Sequence, residues 1–183
     1  LGLEGGHIGL LEVDARHKDY MPTNQYLTLT SKLPKTEITF PEGFIHELLV
    51  IHSEEELDCV RHAGKLCNDA MHAVLQATKP GATEQDLRAA AGSAILAGGG
   101  DIDFLIIGST PMADPALVFG NPRPSMRVLS EGDIIIMELA AGYRGYSAQI
   151  GQPICLGTPP ENIQRFWNQI ARPGYEKVTA CIE

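Results

Sequence analysis

Residues 131–152 read EGDIIIMELAAGYRGYSAQIGQ, and this stretch decides the fold. The apolar run Ile134, Ile135, Ile136, Met137 is opened by Gly132-Asp133. After Gly142-Tyr143-Arg144-Gly145 a second segment runs from Tyr146 towards Ile154. β-Branched residues bounded by glycine predict two strands joined by a tight turn at 142–145. Two polar residues interrupt the apolar character, Glu138 on the first strand and Gln149 on the second. A hairpin folded at that turn brings them side by side.

Upstream, Ser53 followed by Glu56 is a capping box that opens a helix. Leu57, Val60, Ala63, Cys67, Met71, Val74 and Leu75 recur at helical spacing, and Pro80-Gly81 ends the pattern. Thr83-Glu84-Gln85-Asp86 starts a second helix, with acidic charge in its first turn to suit the helix dipole, and Gly98-Gly99-Gly100 stops it. The three glycines follow a helix rather than a strand, which excludes a phosphate-binding loop. His62 and His72, ten residues apart on the first helix, lack the i, i+4 spacing of joint metal ligands and read as ordinary helix histidines. Residues 103–108 predict the next strand. The long connection 109–127, punctuated by Pro111, Pro115, Pro122 and Pro124, reads either as a structured loop with short strands near 117–119 or as the wall of a cleft.

At the front of the chain, residues 8–13 and 35–40 predict short strands. A helix opens at Met21-Pro22 and carries Tyr26, Leu27, Leu29 and Leu33, and 44–51 is a short apolar helix or turn. At the far end, a helix from Pro160 carries Phe166, Trp167, Ile170 and Val178, and Ala171-Arg172-Pro173-Gly174 should kink or interrupt it.

Gly132-Asp133, an acid at 138, and Gly145-Tyr146 three residues before position 149 form a pattern. It resembles that of the prolidase, creatinase and methionine aminopeptidase superfamily, the pita-bread enzymes. The run Pro80-Gly81, Thr83-Glu84, Asp86-Leu87 and the phrase Tyr20-Met21-Pro22 are similar to the same family. The resemblance implies an α/β fold (of α+β type) in two parts. Residues 1–50 would be the C-terminal part of a creatinase-like N-terminal domain. Residues 51–183 would be the first half of a pita-bread domain, whose remaining metal ligands, a His and two Glu, come from the second half. In metal-dependent members the positions of Glu138 and Gln149 are both Asp and hold two divalent metals. The position of a substrate-contacting His falls on Ala116, and no histidine follows His72. Asp114, Ala116 and Phe119 are the expected substrate-binding residues on the connection.

Two divalent ions need anionic oxygens to bridge them. Glu138 keeps the charge on a longer arm, while Gln149 offers one carbonyl oxygen and an amide NH₂ in place of the second anionic oxygen. Outside the resemblance, Glu138 is an ordinary carboxylate with hydrogen-bond partners and Gln149 a solvated strand residue. Three readings stay open. The first is a hydrolase of a small C–N-bonded substrate or short peptide with no metal cofactor. In it Glu138 orients substrate or activates water, Gln149 hydrogen-bonds to Glu138 or substrate, and Tyr146 supplies a phenol donor. The second is a catalytically inactive binding module. The third is an Xaa-Pro metallopeptidase with atypical ligands for Mn, Co or Zn. The family also implies a homodimer.

A net charge of −9 and a pI near 5.1 argue against nonspecific nucleic-acid or anionic-membrane binding. No run approaches the roughly 18 apolar residues of a membrane span. Cys59, Cys67, Cys155 and Cys181 are scattered without a C-x-x-C pattern, which predicts free thiols and a cytoplasmic protein rather than a disulfide framework.

Overall fold

The computed structural model describes residues 5–11, 21–116 and 124–182. The chain divides into two compact units, Leu1–Ser53 and Glu54–Glu183.

In the first unit, β1 (His7–Gly9) and β2 (Glu37–Thr39) pair in parallel, joined through helix α1 (Thr23–Lys32) and followed by α2 (Phe44–Leu49). A parallel pair requires such a crossover, because a tight turn reverses the chain direction. Pro22 stands just before α1, where its missing N–H costs nothing, and its carbonyl accepts from Gln25 and Tyr26. Tyr26 on α1 meets Phe40, just past β2, with ring centroids 6.4 Å apart. The strand expected over 8–13 is thus shorter and starts one residue earlier, and its positions 12 and 13 lie outside the described residues, as does Tyr20.

The second unit is built on α3 (Glu54–Ala77) and α4 (Glu84–Ala97). Its sheet contains β3 (Asp101–Pro111), β4 (Asp133–Tyr143) and β5 (Tyr146–Gly151) in antiparallel order β3-β4-β5, with β6 (Ile154–Cys155) also on β4. Ala63, Leu66, Cys67, Ala70, Met71 and Val74 form the buried stripe of α3. Thr83 and Asp86 cap α4 reciprocally: Thr83 Oγ1 accepts from the Asp86 N–H, and Asp86 accepts from the Thr83 N–H. Both helices pack on one face of the sheet. Leu66, Leu87, Ile95, Ile107, Leu129, Ile135 and Leu139 are among the largest fully buried side chains of the common core.

The glycines after α4 are a close-packing device as well as a stop. A Cβ on Gly100 would stand 2.3 Å from a Leu66 methyl and 2.9 Å from the Gly142 carbonyl oxygen, so only glycine lets α3 and β4 approach there.

The hairpin differs in detail from its sequence reading. Gly142 and Tyr143 belong to β4, and the turn is Arg144-Gly145 alone, flanked by the pair Tyr143↔Tyr146. Both turn residues have positive φ, +52° and +87°, as a two-residue hairpin turn matching the strand twist requires. The second strand is broken rather than continuous to 154. Pro153 has no N–H for the ladder, so β5 stops at Gly151 and β6 resumes at Ile154, opposite Ile135.

The final helix is not interrupted at 171–174. Helix α5 (Glu161–Phe166) continues through a π-helical turn (Trp167–Ala171) into α6 (Arg172–Thr179). Pro173 cannot donate to the carbonyl of Gln169. The wide turn just before it, closed by the Arg172 N–H on the Trp167 carbonyl, keeps the chain helical across this segment. Among the described residues no helix is long and apolar enough to cross a membrane.

Candidate functional site

Successive residues of a strand point to opposite faces. Leu105, Ile107, Ile135, Met137 and Leu139 lie against the helices in the core. Their alternates, Phe104 and Ile106 on β3 and Ile134, Ile136 and Glu138 on β4, are only partly buried and belong to the other face. Glu138 stands in the row Ile106–Glu138–Gly151, and Gln149 is paired with Ala140 one row along. Glu138 and Gln149 are therefore diagonal neighbours on the open face rather than directly opposite. The pair is nevertheless in contact: the Gln149 Nε2 donates to Glu138 Oε1. That bond engages one Glu138 oxygen and the Gln149 NH₂, and the remaining Glu138 oxygen and the Gln149 carbonyl oxygen are two further acceptors with one negative charge on the pair.

Tyr146 is not brought to this pair. Three positions from Gln149 along β5, it faces α3, as do Ala148 and Ile150, which pack against the core. Its hydroxyl donates to Glu56 Oε1 on α3 at 2.5 Å. That bond holds the phenol's pKa above its usual value, with removal from water and the Glu56 charge adding to the effect. Asp114 is exposed just past β3. Ala116 is tied to the end of the open face, its N–H donating to Thr110 Oγ1 at 2.8 Å. Thr110 is four residues along β3 from Ile106, the partner of Glu138, which places Thr110 about 14 Å along the strand from the carboxylate row. Phe119 lies outside the described residues, as do the short strands expected near 117–119.

His62 stacks on Tyr143 with ring centroids 4.0 Å apart, and its Nε2 lies 3.3 Å from the Gly98 carbonyl oxygen, so it serves packing on the helix side. His72, with Asn68 and Gln152, edges a groove of about 220 Å³ between α3 and the β5–β6 edge. All four cysteines are free. Cys67 is buried, its thiol donating to the Ala148 carbonyl at 3.1 Å, and burial pushes its pKa up. Among the described residues no three His, Cys, Asp or Glu side chains converge as a metal-binding group.

A second polar assembly, unanticipated from the sequence, lies under the connection between β3 and β4. Glu84, the first residue of α4, is 4% exposed. Its Oε1 accepts from the Ser109 N–H and hydroxyl, both at 2.7 Å, and its Oε2 from the Ser125 N–H and hydroxyl at 2.8 and 2.7 Å. Burial pushes the Glu84 pKa up, but the four hydrogen bonds together outweigh it and hold the carboxyl below the usual range. Arg127 donates to Ser109 Oγ at 2.7 Å and grips Asp133 with two hydrogen bonds of 2.8 Å. That grip, against the cost of burial, holds the Asp133 carboxyl below the usual range, and the Ser130 N–H adds to it. Backbone bonds from Gly81 to Leu129, Leu129 to Ala82 and Glu84 to Arg127 lay the returning chain beside the start of α4. The sequence offered one signal, a Glu at the first position of a capped helix. Only tertiary packing reveals that this Glu turns inward.

The helices on one face of the sheet make this an α/β protein, and its relatives place it in the pita-bread peptidase superfamily, Xaa-Pro peptidase-like. The chain belongs to metallopeptidase family M24, whose family model matches residues 58–183. It is similar to a protein named probable dipeptidase PepE of Mycobacterium tuberculosis, 29% identical over 175 residues, covering 93% of this chain and 45% of the relative. Among solved structures, dipeptidase PepE of Mycobacterium ulcerans superposes with a TM-score of 0.65 at 28% identity, over 81% of this chain and 39% of that one. The prolidase of Pyrococcus horikoshii shares the fold with a TM-score of 0.76 at 22% identity, over 93% of this chain and 47% of that one. The chain thus spans less than half the length of these relatives.

Proposed function

We propose that this chain carries part of the catalytic domain of a hydrolase of the Xaa-Pro dipeptidase type. It would act on a short peptide or other small C–N-bonded substrate through a site that departs from the family's carboxylate-bridged metal pair. The observation that carries this reading is the hydrogen bond from Gln149 to Glu138, at the two positions where the resemblance implies paired Asp ligands. A bridged pair of divalent ions needs anionic oxygens from both positions. Gln149 supplies a neutral carbonyl and directs its NH₂ at the one carboxylate present, so this donor set does not fit such a bridge. What the pair suits is a hydrogen-bonding role, with Gln149 fixing the Glu138 carboxylate and leaving its second oxygen for substrate or water.

In the reaction this implies, Glu138 accepts a proton from the attacking water as the water oxygen bonds to the substrate carbonyl carbon. The carboxyl then returns that proton to the amine nitrogen as the C–N bond breaks. The test is Glu138→Gln in the full-length protein: turnover should vanish while the urea midpoint is retained, and activity equal to wild type removes Glu138 from the chemistry. The full-length protein, dialysed against Mn²⁺, Co²⁺ and Zn²⁺ and then analysed for metal, should hold no bridged pair. About two tightly bound ions per chain would restore the metallopeptidase reading.

A second reading, a binding module without catalysis, is favoured by one feature. All six histidines lie at or before His72, so none on β3, β4 or β5 is available as the usual neutral-pH acid–base. Binding of short peptides without turnover by the full-length protein would select it.

A further inference from the structure

We infer that Glu84 is a positioning residue: its buried carboxylate ties the outgoing limb of the β3–β4 connection at Ser109 to the returning limb at Ser125, at the border of the open face that carries Glu138 and Gln149. This deepens the proposed function and rests on it for the identity of the site, not for the anchoring itself.

Glu84 is an acid at the first position of a helix, where a carboxylate would ordinarily face water. Here it is 4% exposed and receives four hydrogen bonds, two from each end of the connection. Ser109 belongs to β3 shortly before the connection leaves the sheet, and Ser125 lies on the returning limb. One carboxylate thereby clamps the outgoing strand to the incoming chain. The grip is extended by Arg127, whose guanidinium reaches Ser109 on one side and Asp133 at the start of β4 on the other.

Neighbouring contacts show which face this controls. Ser109 points to the helix side, where Glu84 takes it. Its successor Thr110 points to the open face and holds the Ala116 N–H. Fixing Ser109 therefore fixes Thr110, and through it the backbone at 114–116 on the open face. The Arg127 cation lies close enough to be favoured by the Glu84 charge, and it also pairs with Asp133. The carboxylate serves as the acceptor for the two serines. A neutral amide in its place would aim an NH₂ group at donors and break one side of the clamp.

The test compares wild type, Glu84→Gln and Ser125→Ala in the full-length protein by hydrogen exchange, together with peptide turnover. Loss of hydrogen bonds to a buried charge should speed exchange on the order of tenfold or more at the amides of Ser109, residues 112–116 and residues 124–130 in Glu84→Gln. Protection across β4 and β5 should be unchanged. Ser125→Ala, which removes the hydroxyl that donates to Glu84 and accepts from the Arg127 N–H, should show a smaller effect confined to 124–130. With an active wild type, Glu84→Gln should raise KM several-fold with kcat changed less. A KM left at its wild-type value with kcat lost would overturn the positioning role. Unchanged exchange in the connection, or loss of protection throughout β3–β5, overturns the inference as well. A wild type that turns over no peptide counts against the proposed function alone, since the exchange pattern still decides whether Glu84 is the clamp.

Discussion

Replacing Arg127 with Met leaves Asp133 without its partner and also removes the bond to Ser109 Oγ, so the Asp133 share is read from a double variant. The Asp133 side chain is 3% exposed, and apart from Arg127 it keeps one donor, the Ser130 N–H at 2.8 Å. Breaking a buried ion pair by removing one member costs about 3–5 kcal/mol. The Arg127 side chain is 33% exposed, so water already screens part of the pair and the lower end, about 3 kcal/mol, is expected. Protonation of the stranded carboxyl limits the loss, because each unit by which its pKa rises is worth about 1.4 kcal/mol and the group is mostly neutral once that pKa exceeds the ambient pH. The sign with pH follows from Asp133 being held below the usual carboxylate range by Arg127. Its contribution is complete above that range and fades as pH falls through the depressed folded-state pKa. The gap between wild type and Arg127→Met, measured by urea unfolding with circular dichroism, should therefore be largest at neutral pH and narrow in acid. Adding Asp133→Asn to Arg127→Met removes the stranded charge and should recover about 1 kcal/mol or more. A single-variant loss below about 1 kcal/mol, or a double variant no more stable than the single, would refute the assignment of a buried, tightly held pair.

Three further expectations follow from the geometry. Gly100→Ala forces a methyl against Leu66 and the Gly142 carbonyl and should cost about 1–3 kcal/mol, read from the urea midpoint; a neutral result would mean that α3 and β4 are further apart than described. Tyr146→Phe removes the bond to Glu56 on the helix side and should lower thermal stability without changing kcat, whereas a collapse of kcat at unchanged stability would put the phenol back in the site. Glu138→Asp combined with Gln149→Asp rebuilds an acidic pair on the open face and should raise Mn²⁺ retention in the full-length protein, measured by elemental analysis after dialysis. Equal retention in wild type and variant would mean that these two positions do not govern metal affinity.

The hairpin was legible because its signals are local: four β-branched or apolar residues in sequence, then glycines. The exact turn was less so, since Gly142 and Gly145 are equally good turn residues in composition. Only the positive φ of Arg144 and Gly145 selects the two-residue loop and hence the register. That register makes Glu138 and Gln149 diagonal neighbours. The placement of Tyr146 was readable in principle: it lies three residues from Gln149, and an odd separation on a strand puts two side chains on opposite faces. The break at Pro153 follows from the missing N–H of proline, whereas continuation through Pro173 depended on a π-helical turn that no local pattern announces. Least legible was the assembly around Glu84. Its members at 84, 109, 125, 127 and 133 are spread over 50 positions, and nothing in the spacing says that they meet.

The division of the sheet into two faces has an evolutionary consequence. β4 contributes Ile135, Met137 and Leu139 to the core and Glu138 to the opposite side, so mutations at 138 or 149 remove no core packing. Chemistry on this scaffold can therefore drift by single substitutions at little cost to folding. An insertion of one residue at Arg144-Gly145 is a different matter, since it would turn the whole of β5 over and send Ala148 and Ile150 into water. A lineage carrying this hairpin is free to exchange its reactive groups but is held to its turn length.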